Sequence, residues 1–513
     1  MKNLNRREFI KSGSGIVTAI TLGSVSASLP PTSSKKANST KMIGIQIGAP
    51  SFVDEGLEGC LDTIQERACV NTLFTMVHSY KEGLSGRTWP PVDHGRQQRS
   101  PKFHGGYYAT VHPEYYKNTI FRDNPQILRA PDDGDFDVLA SVIPSARKRG
   151  IKTIAWIADQ IHDEIPQFQE MAEVDLHGRK LPQVCFNNPH FRSFLMAMVE
   201  DCVQSYEIDG LLWRSERWGA LTNTLYKWDG AGNTTIPCFC PFCLEKGQSN
   251  GINIERVSEG YKTLTKYVAD ARAGKRPAEG YYAAFWRILL RYPEILAWEM
   301  FWYDGLREIY KLVYAKSKAI KPALPVGTAI PHSISFNPFY RAVVDLQELS
   351  KYNDFLKIIF YNMDAGPRCC NYVDDIFGTY LKDLSKEDRL LFMYGTMGFS
   401  EGSYEKIKSE GMSSDYVSRE TKTWLEAARG TNLKVLSGID VDVSPNNDDL
   451  PRSREGVRDA VLAAFQAGAP GIVLSRMYSE MMLEHLSGVG DALRDLGLIK
   501  LIAYRLSRIA ICD

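Results

Sequence analysis

Neither sign of charge is in excess: Lys plus Arg and Asp plus Glu count 61 each, so the formal net charge is zero. That excludes the broad basic face of a general nucleic-acid or anionic-membrane binder. Beyond the N-terminal segment, no run of 18 apolar residues is free of charge, so no mature transmembrane helix is expected. There is no internal repeat and no Pro/Gly-rich linker after residue 40, which argues against an array or a string of small domains. No glycine-rich turn follows the first strand candidate, and this weakens any dinucleotide-binding version of an open doubly wound sheet.

What is present is a chain of 513 residues, enough for one large barrel with insertions or for two to three ordinary domains. The 25 Tyr, 22 Phe and 9 Trp supply stacking surfaces that suit sugars, although large cores use aromatics as well. The N-terminus reads as a targeting segment. Asn5-Arg6-Arg7-Glu8-Phe9-Ile10-Lys11 precedes a mildly apolar run, and Val25-Ser26-Ala27 offers a small-residue cleavage site. The pattern resembles a twin-arginine export signal, the alternative being a generic secretory signal. Residues 1–40 are therefore expected to be signal peptide and disordered lead-in. Residues 41–513 would be the folded domain, exported to the periplasm or the extracellular space.

From residue 41 onward, short apolar runs alternate with helical patterns. Strands are expected at 41–48, 70–78, 151–158, 210–213, 324–330, 355–361, 433–439 and 471–475. Helices are expected at 55–68, 136–149, from Asn188 to near Tyr206, at 254–272, 279–321, 385–397, 457–468 and 483–506. Asn188 ahead of Pro189 reads as a helix N-cap. Eight strands bridged by helices close most simply as an α/β fold, a (β/α)8 TIM barrel with large βα-loop insertions. The loop 79–135 is long and carries His104, Tyr107 and His112, a density that favours an ordered, site-covering segment.

A barrel places its chemistry at the carboxyl ends of its strands, and polar residues gather there. His78 follows the second strand, and Asp159 and His162 the third. Arg214, Glu216 and Arg217 follow the fourth, and His332 the fifth. Tyr361, Asn362 and Arg368 follow the sixth, Asp440 and Asp442 the seventh, and Arg476, Tyr478 and Glu480 the eighth. Glycosidic cleavage needs two carboxylates, one to protonate the leaving oxygen and one to attack carbon or activate water. Glu216 is the acid candidate, because Trp213 and Trp218 flank it and apolar cover raises a carboxyl pKa. The competing reading is an ion pair with Arg214 or Arg217. Asp440 and Glu480 are the two candidates for the second carboxylate. The expected substrate is an oligo- or polysaccharide, with no nucleic-acid partner and no cofactor for catalysis.

Taken together, HGGYYATVHPEYY from His104, FNNP from Phe186, IDGLLWRSERWG from Ile208, CFCPFC from Cys238 and GAPGIVLSRMYSEM from Gly468 resemble the glycosidase-like TIM-barrel proteins of bacteria that carry twin-arginine signals. The resemblance implies a glycoside hydrolase. In many retaining barrel glycosidases the acid follows strand four and the nucleophile follows strand seven. Glu216 fits that layout, while the second place holds Asp440 where such enzymes usually carry Glu.

Cys238, Cys240 and Cys243 stand in C-x-C-x2-C spacing, better suited to a metal than to pairing with one another. Zinc needs a fourth ligand, and Cys202 and Cys185 are the nearest in sequence. The other readings are a disulfide within the loop and buried free thiols. Some barrel galactosidases resemble this chain in holding a structural zinc by a cysteine cluster after strand four.

Two rival functions remain open on the sequence. A polysaccharide lyase would use Tyr361 or Tyr478 with a histidine as base, and Arg368 or Arg476 against a uronate carboxylate. A catalytically silent carbohydrate-binding barrel would do neither.

Overall fold

The computed structural model describes residues 41–80, 91–98, 104–158, 164–226, 235–442, 450 and 452–499. The targeting reading of residues 1–40, Asp159 and His162 lie outside them. Eight strands form a parallel sheet: β1 (Met42–Gly48), β2 (Thr72–Ser79), β3 (Lys152–Ile157), β4 (Gly210–Trp213), β5 (Val326–Ile330), β6 (Phe355–Ile359), β7 (Lys434–Asp440) and β8 (Gly471–Ser475). β1 pairs with both β2 and β8, so the sheet closes into a (β/α)8 barrel.

The principal outer helices are α1 (Leu57–Ala68), α2 (Val138–Lys148), α3 (Pro189–Ser205), α4 (Glu294–Ile320), α5 (Asn362–Asp375), α6 (Ser414–Ala427), α7 (Arg454–Gln466) and α8 (Leu483–Asp495). Between β5 and β6 the crossover is made by two short helices, Pro338–Val343 and Leu346–Leu349.

The strands read as apolar runs because both faces are buried. Their outward residues join the helices in one large core, and their inward residues form a second. The inner core includes Phe74, Ile154, Trp156, Leu212, Phe355, Leu436 and Val473. Large inward residues sit beside glycines on neighbouring strands. A Cβ at Gly327 would lie 2.6 Å from the Phe355 ring, and one at Gly438 would lie 3.0 Å from Cε of Lys357.

Three expectations are corrected. The helix expected over 279–321 is two helices, Tyr281–Arg291 and Glu294–Ile320. Pro293 lies between them, and a proline has no N–H to continue the first ladder. The helix expected over 483–506 ends at Asp495 among the described residues, just ahead of Gly497 with φ +66°, and residues 500–506 lie outside them. The loop after β2 is packed onto the barrel flank. Gly106–Tyr107 pairs antiparallel with the end of β2, and Tyr107, Tyr108, Val111, Tyr116 and Phe121 enter the outer core. Among the described residues, no helix is long and apolar enough to cross a membrane.

Candidate active site at the carboxyl ends of the strands

The four-residue strand β4 delivers Arg214 inward. Its guanidinium lies over the Trp156 ring at 4.6 Å, and its Nη1 stands 3.0 Å from Oε1 of Glu216, whose side chain is 40% exposed. Arg217 turns the other way. It donates to the Val184 carbonyl, pairs with Glu173 at 3.3 Å and lies on the Phe186 ring. Trp218 donates its indole N–H to Ser333.

Behind this loop stands Glu299 on α4, fully buried. It accepts the backbone N–H of Leu221 at 2.8 Å, fixing the turn that carries Glu216. Burial pushes its carboxyl up to about 7, partly offset by the backbone donors at Leu221 and Thr222. A Cβ on Gly219 would collide with it at 2.3 Å.

β6 and the residues just past it supply two inward side chains two strand repeats apart, Lys357 and Tyr361. The Lys357 ammonium group donates to Ser475 Oγ at 2.7 Å and to Gln46, and lies 3.4 Å from the Tyr361 hydroxyl. Burial, and then the positive charge of Arg214, hold Lys357 well below the usual lysine range.

A chain of polar contacts then runs from the mouth to the back of the barrel. Arg452 pairs with Asp440 at 3.4 Å and with Asp364 at 2.6 Å, and Asp364 also pairs with Arg368. Arg368 donates to His332 Nδ1 at 3.0 Å. An arginine can only donate, so Nδ1 is the bare nitrogen and Nε2 carries the proton toward Tyr416, 2.9 Å away. Tyr416 donates to Ser335, and Ser335 donates to Glu420. Burial, with Arg368 adding to it, drives His332 well below the usual histidine range. His332 in this state positions Arg368.

At the end of β8, Arg476 holds Glu480 through two contacts of 3.2 Å. The field at Arg476 also includes Glu216, and the field at Tyr361 includes Arg214, Glu216 and Arg368. Thus Arg214, Glu216, His332, Tyr361, Arg368, Asp440, Arg476 and Glu480, taken from five strands, gather at one mouth.

Other candidates are placed elsewhere. Trp213 points outward, packing on Phe186 and Tyr310, so the expected apolar cover over Glu216 does not come from it. Strand alternation sends the residue before Arg214 to the opposite face. Tyr107 is buried in the outer core. His112 is bound to Asp201 of α3 at 2.6 Å, and the exposed His104 rests on Asp132. Asn188 serves as the α3 N-cap, accepting from the His190 N–H. Tyr478 donates to Glu55 and packs on His94. Asp442 accepts from the Met482 N–H and faces His485, anchoring the start of α8. Each of these side chains holds a loop or helix end in place.

Sequence reasoning missed Lys357, Asp364, Arg452 and Glu299. Lys357 carries a readable signal, a lone charge inside the run FLKIIF that a doubly buried strand does not otherwise tolerate. Arg452 had none, because its register to Asp440 depends on a loop.

The cysteine cluster lies on the flank behind β4. The Sγ atoms of Cys185, Cys238, Cys240 and Cys243 are all buried and lie within 4.8 Å of one another. Cys185 approaches Cys243 at 3.4 Å and Cys240 at 3.5 Å, and all four are unbonded thiols. Tetrahedral zinc with four Zn–S bonds of about 2.3 Å places its sulfurs roughly 3.8 Å apart, so the donor set fits that ion. The fourth sulfur is Cys185; Cys202 lies against Tyr107.

No family model matches the sequence, and no curated protein sequence matches it either. Solved structures do share the fold. A β-galactosidase from the Antarctic haloarchaeon Halorubrum lacusprofundi is 11% identical with a TM-score of 0.50, over 90% of this chain and 58% of that one. α-L-Fucosidase isoenzyme 2 from Paenibacillus thiaminolyticus is 12% identical with a TM-score of 0.48, over 90% of this chain and 49% of the other. The glycoside hydrolase domain of PgaB (BpsB) from Bordetella bronchiseptica is 12% identical with a TM-score of 0.45, over 89% and 98%. This chain spans about half the length of the fucosidase. At such identities the likeness shows the fold alone, an α/β barrel of the kind that these glycoside hydrolases use.

Proposed function

We propose that this protein is an exported glycoside hydrolase whose catalytic pair is Glu216 and Glu480. The observation that carries the reading is the placement of these carboxylates at the ends of β4 and β8, each held by an arginine, with Arg476 in the field of both. Glu216, the more exposed, protonates the leaving oxygen. Glu480, gripped by Arg476, attacks carbon or activates water. Asp440 is tied inward to Arg452 and keeps that arginine in place. The purified protein is to be screened against neutral and acidic glycans. Reducing ends should form without any unsaturated product that absorbs in the ultraviolet, and Glu480→Gln should abolish them at an unchanged melting temperature. An unsaturated product, or full turnover by Glu480→Gln, overturns the assignment.

The four-cysteine cluster is proposed to hold one structural zinc. It is closed by four thiolates, with no place for substrate.

A further inference from the structure

Lys357, set just below the charged groups of the mouth, has no role in the proposed chemistry. Its three hydrogen-bond partners, Gln46, Ser475 and Tyr361, are all neutral. The arginines around it differ in this respect. Arg214 faces Glu216, Arg368 faces Asp364, Arg452 faces Asp364 and Asp440, and Arg476 faces Glu480. Four arginines are thus matched by four carboxylates among the described residues, whereas Lys357 has no carboxylate within hydrogen-bond distance.

Its placement is built. Gly438 on β7 leaves room for the lysine stem. The ammonium ends at the level of Ser475, the last residue of β8, and of Tyr361, two residues past β6. Two of its hydrogens are used well, on Ser475 and Gln46. The remaining position on Nζ, a lone pair in the neutral amine and a third N–H once protonated, faces only the Tyr361 hydroxyl at 3.4 Å, long for a hydrogen bond. A buried ammonium with no carboxylate in contact is costly, so burial and Arg214 favour the neutral amine against the opposing charge of Glu216, and a leucine or methionine in its place would pack the barrel at no such cost. An anion arriving with the ligand removes the penalty.

Resting on the glycoside hydrolase reading, we propose that Lys357 is a specificity residue, and that the mouth takes a sugar bearing an anionic substituent, a carboxylate or a sulfate ester. The negative group enters beneath Arg214 and Arg476, displaces the weak Tyr361 contact and accepts the third N–H that protonation of Lys357 supplies. Because burial and Arg214 favour the neutral amine in the free protein, with Glu216 opposing them, binding of the anion draws in a proton.

The test uses the whole protein and matched probes: glucuronate, glucose 6-sulfate and glucose, with their galacto counterparts. Calorimetry at about pH 8 in two buffers of different ionisation enthalpy reads affinity and proton uptake together. At least one anionic sugar should bind about tenfold or more tighter than its neutral counterpart, with uptake of a fraction of a proton. Preference for the uronate over the sulfate, or the reverse, identifies the substituent. Lys357→Met should erase both the preference and the uptake, and should melt at or above the wild-type temperature in the free state. Neutral sugars bound as tightly as charged ones would overturn this proposal while leaving the hydrolase reading intact. An unchanged preference in Lys357→Met would overturn it too, as would a variant that fails to fold or melts well below wild type. Binding of no sugar at all would overturn this proposal, and the hydrolase reading is then decided by the glycan screen alone.

Discussion

Glu216 and Glu299 show how one short loop sets two carboxyl groups to different tasks. Glu216 is 40% exposed and paired with Arg214, and such a pair contributes at most about 1 kcal/mol to stability. Glu216→Gln should therefore melt within a few degrees of wild type while losing roughly 10²–10⁴-fold in turnover, the usual contribution of a general acid. The loss should shrink on substrates whose leaving group needs no proton. Turnover and melting temperature measured on one preparation check this, and retained turnover removes Glu216 from the mechanism. Glu299 is the opposite case. Its pKa rises from 4.5 to about 7 in the folded protein, so the stability it contributes is complete below about pH 4.5 and is lost as pH climbs through 7. Glu299→Gln keeps an acceptor for Leu221 and carries no charge. It should match wild type near pH 4 and exceed it by on the order of 3 kcal/mol near pH 8, read as denaturation midpoints at the two pH values. A difference that does not vary with pH would refute the assignment.

Among the elements, α4 does more than cover the sheet. Glu299 on its first turns fixes the β4 loop, Trp302 donates to Glu173, and Trp298 fills the space that Gly247 leaves beside the cysteine loop. The helix Pro241–Ser249, which carries Cys243, is thereby joined to the scaffold of the mouth. If the four sulfurs hold zinc, purified protein should contain about one equivalent per chain by elemental analysis. Removing the metal, or Cys240→Ser, should lower melting temperature more than it lowers turnover per folded molecule. Absence of zinc together with disulfides among these cysteines would exclude the site.

At the scale of the whole molecule, the barrel decides what can act together. Glu216 and Glu480 are 264 positions apart in sequence, and closure of β1 onto β8 brings their strand ends to one rim. The export reading belongs to this scale as well. Replacing Arg6 and Arg7 by lysine should trap precursor in the cytoplasm, followed by cell fractionation and immunoblotting. Processed protein appearing outside at the normal level would rule out the twin-arginine route.

The sequence by itself determined the eight strands, their order and their polar ends, because apolar runs of strand length between helical patterns are a local property. Glu216 and Arg214 were legible for the same reason, lying immediately past a run that can only be interior. Local pattern does not say which face of a strand a residue takes, and for this reason Trp213 read as a wall of the mouth while it packs against α4. Nor does pattern say how far a loop travels. Cys185 and not Cys202 completes the sulfur cluster, and Tyr107, His112 and Asn188 pin the flank. Those outcomes, with Lys357 set among neutral partners and Arg452 bridging Asp364 and Asp440, were decided by the tertiary structure alone. They depend on register across the closed barrel and on contacts between segments tens to hundreds of residues apart, which no window of sequence contains.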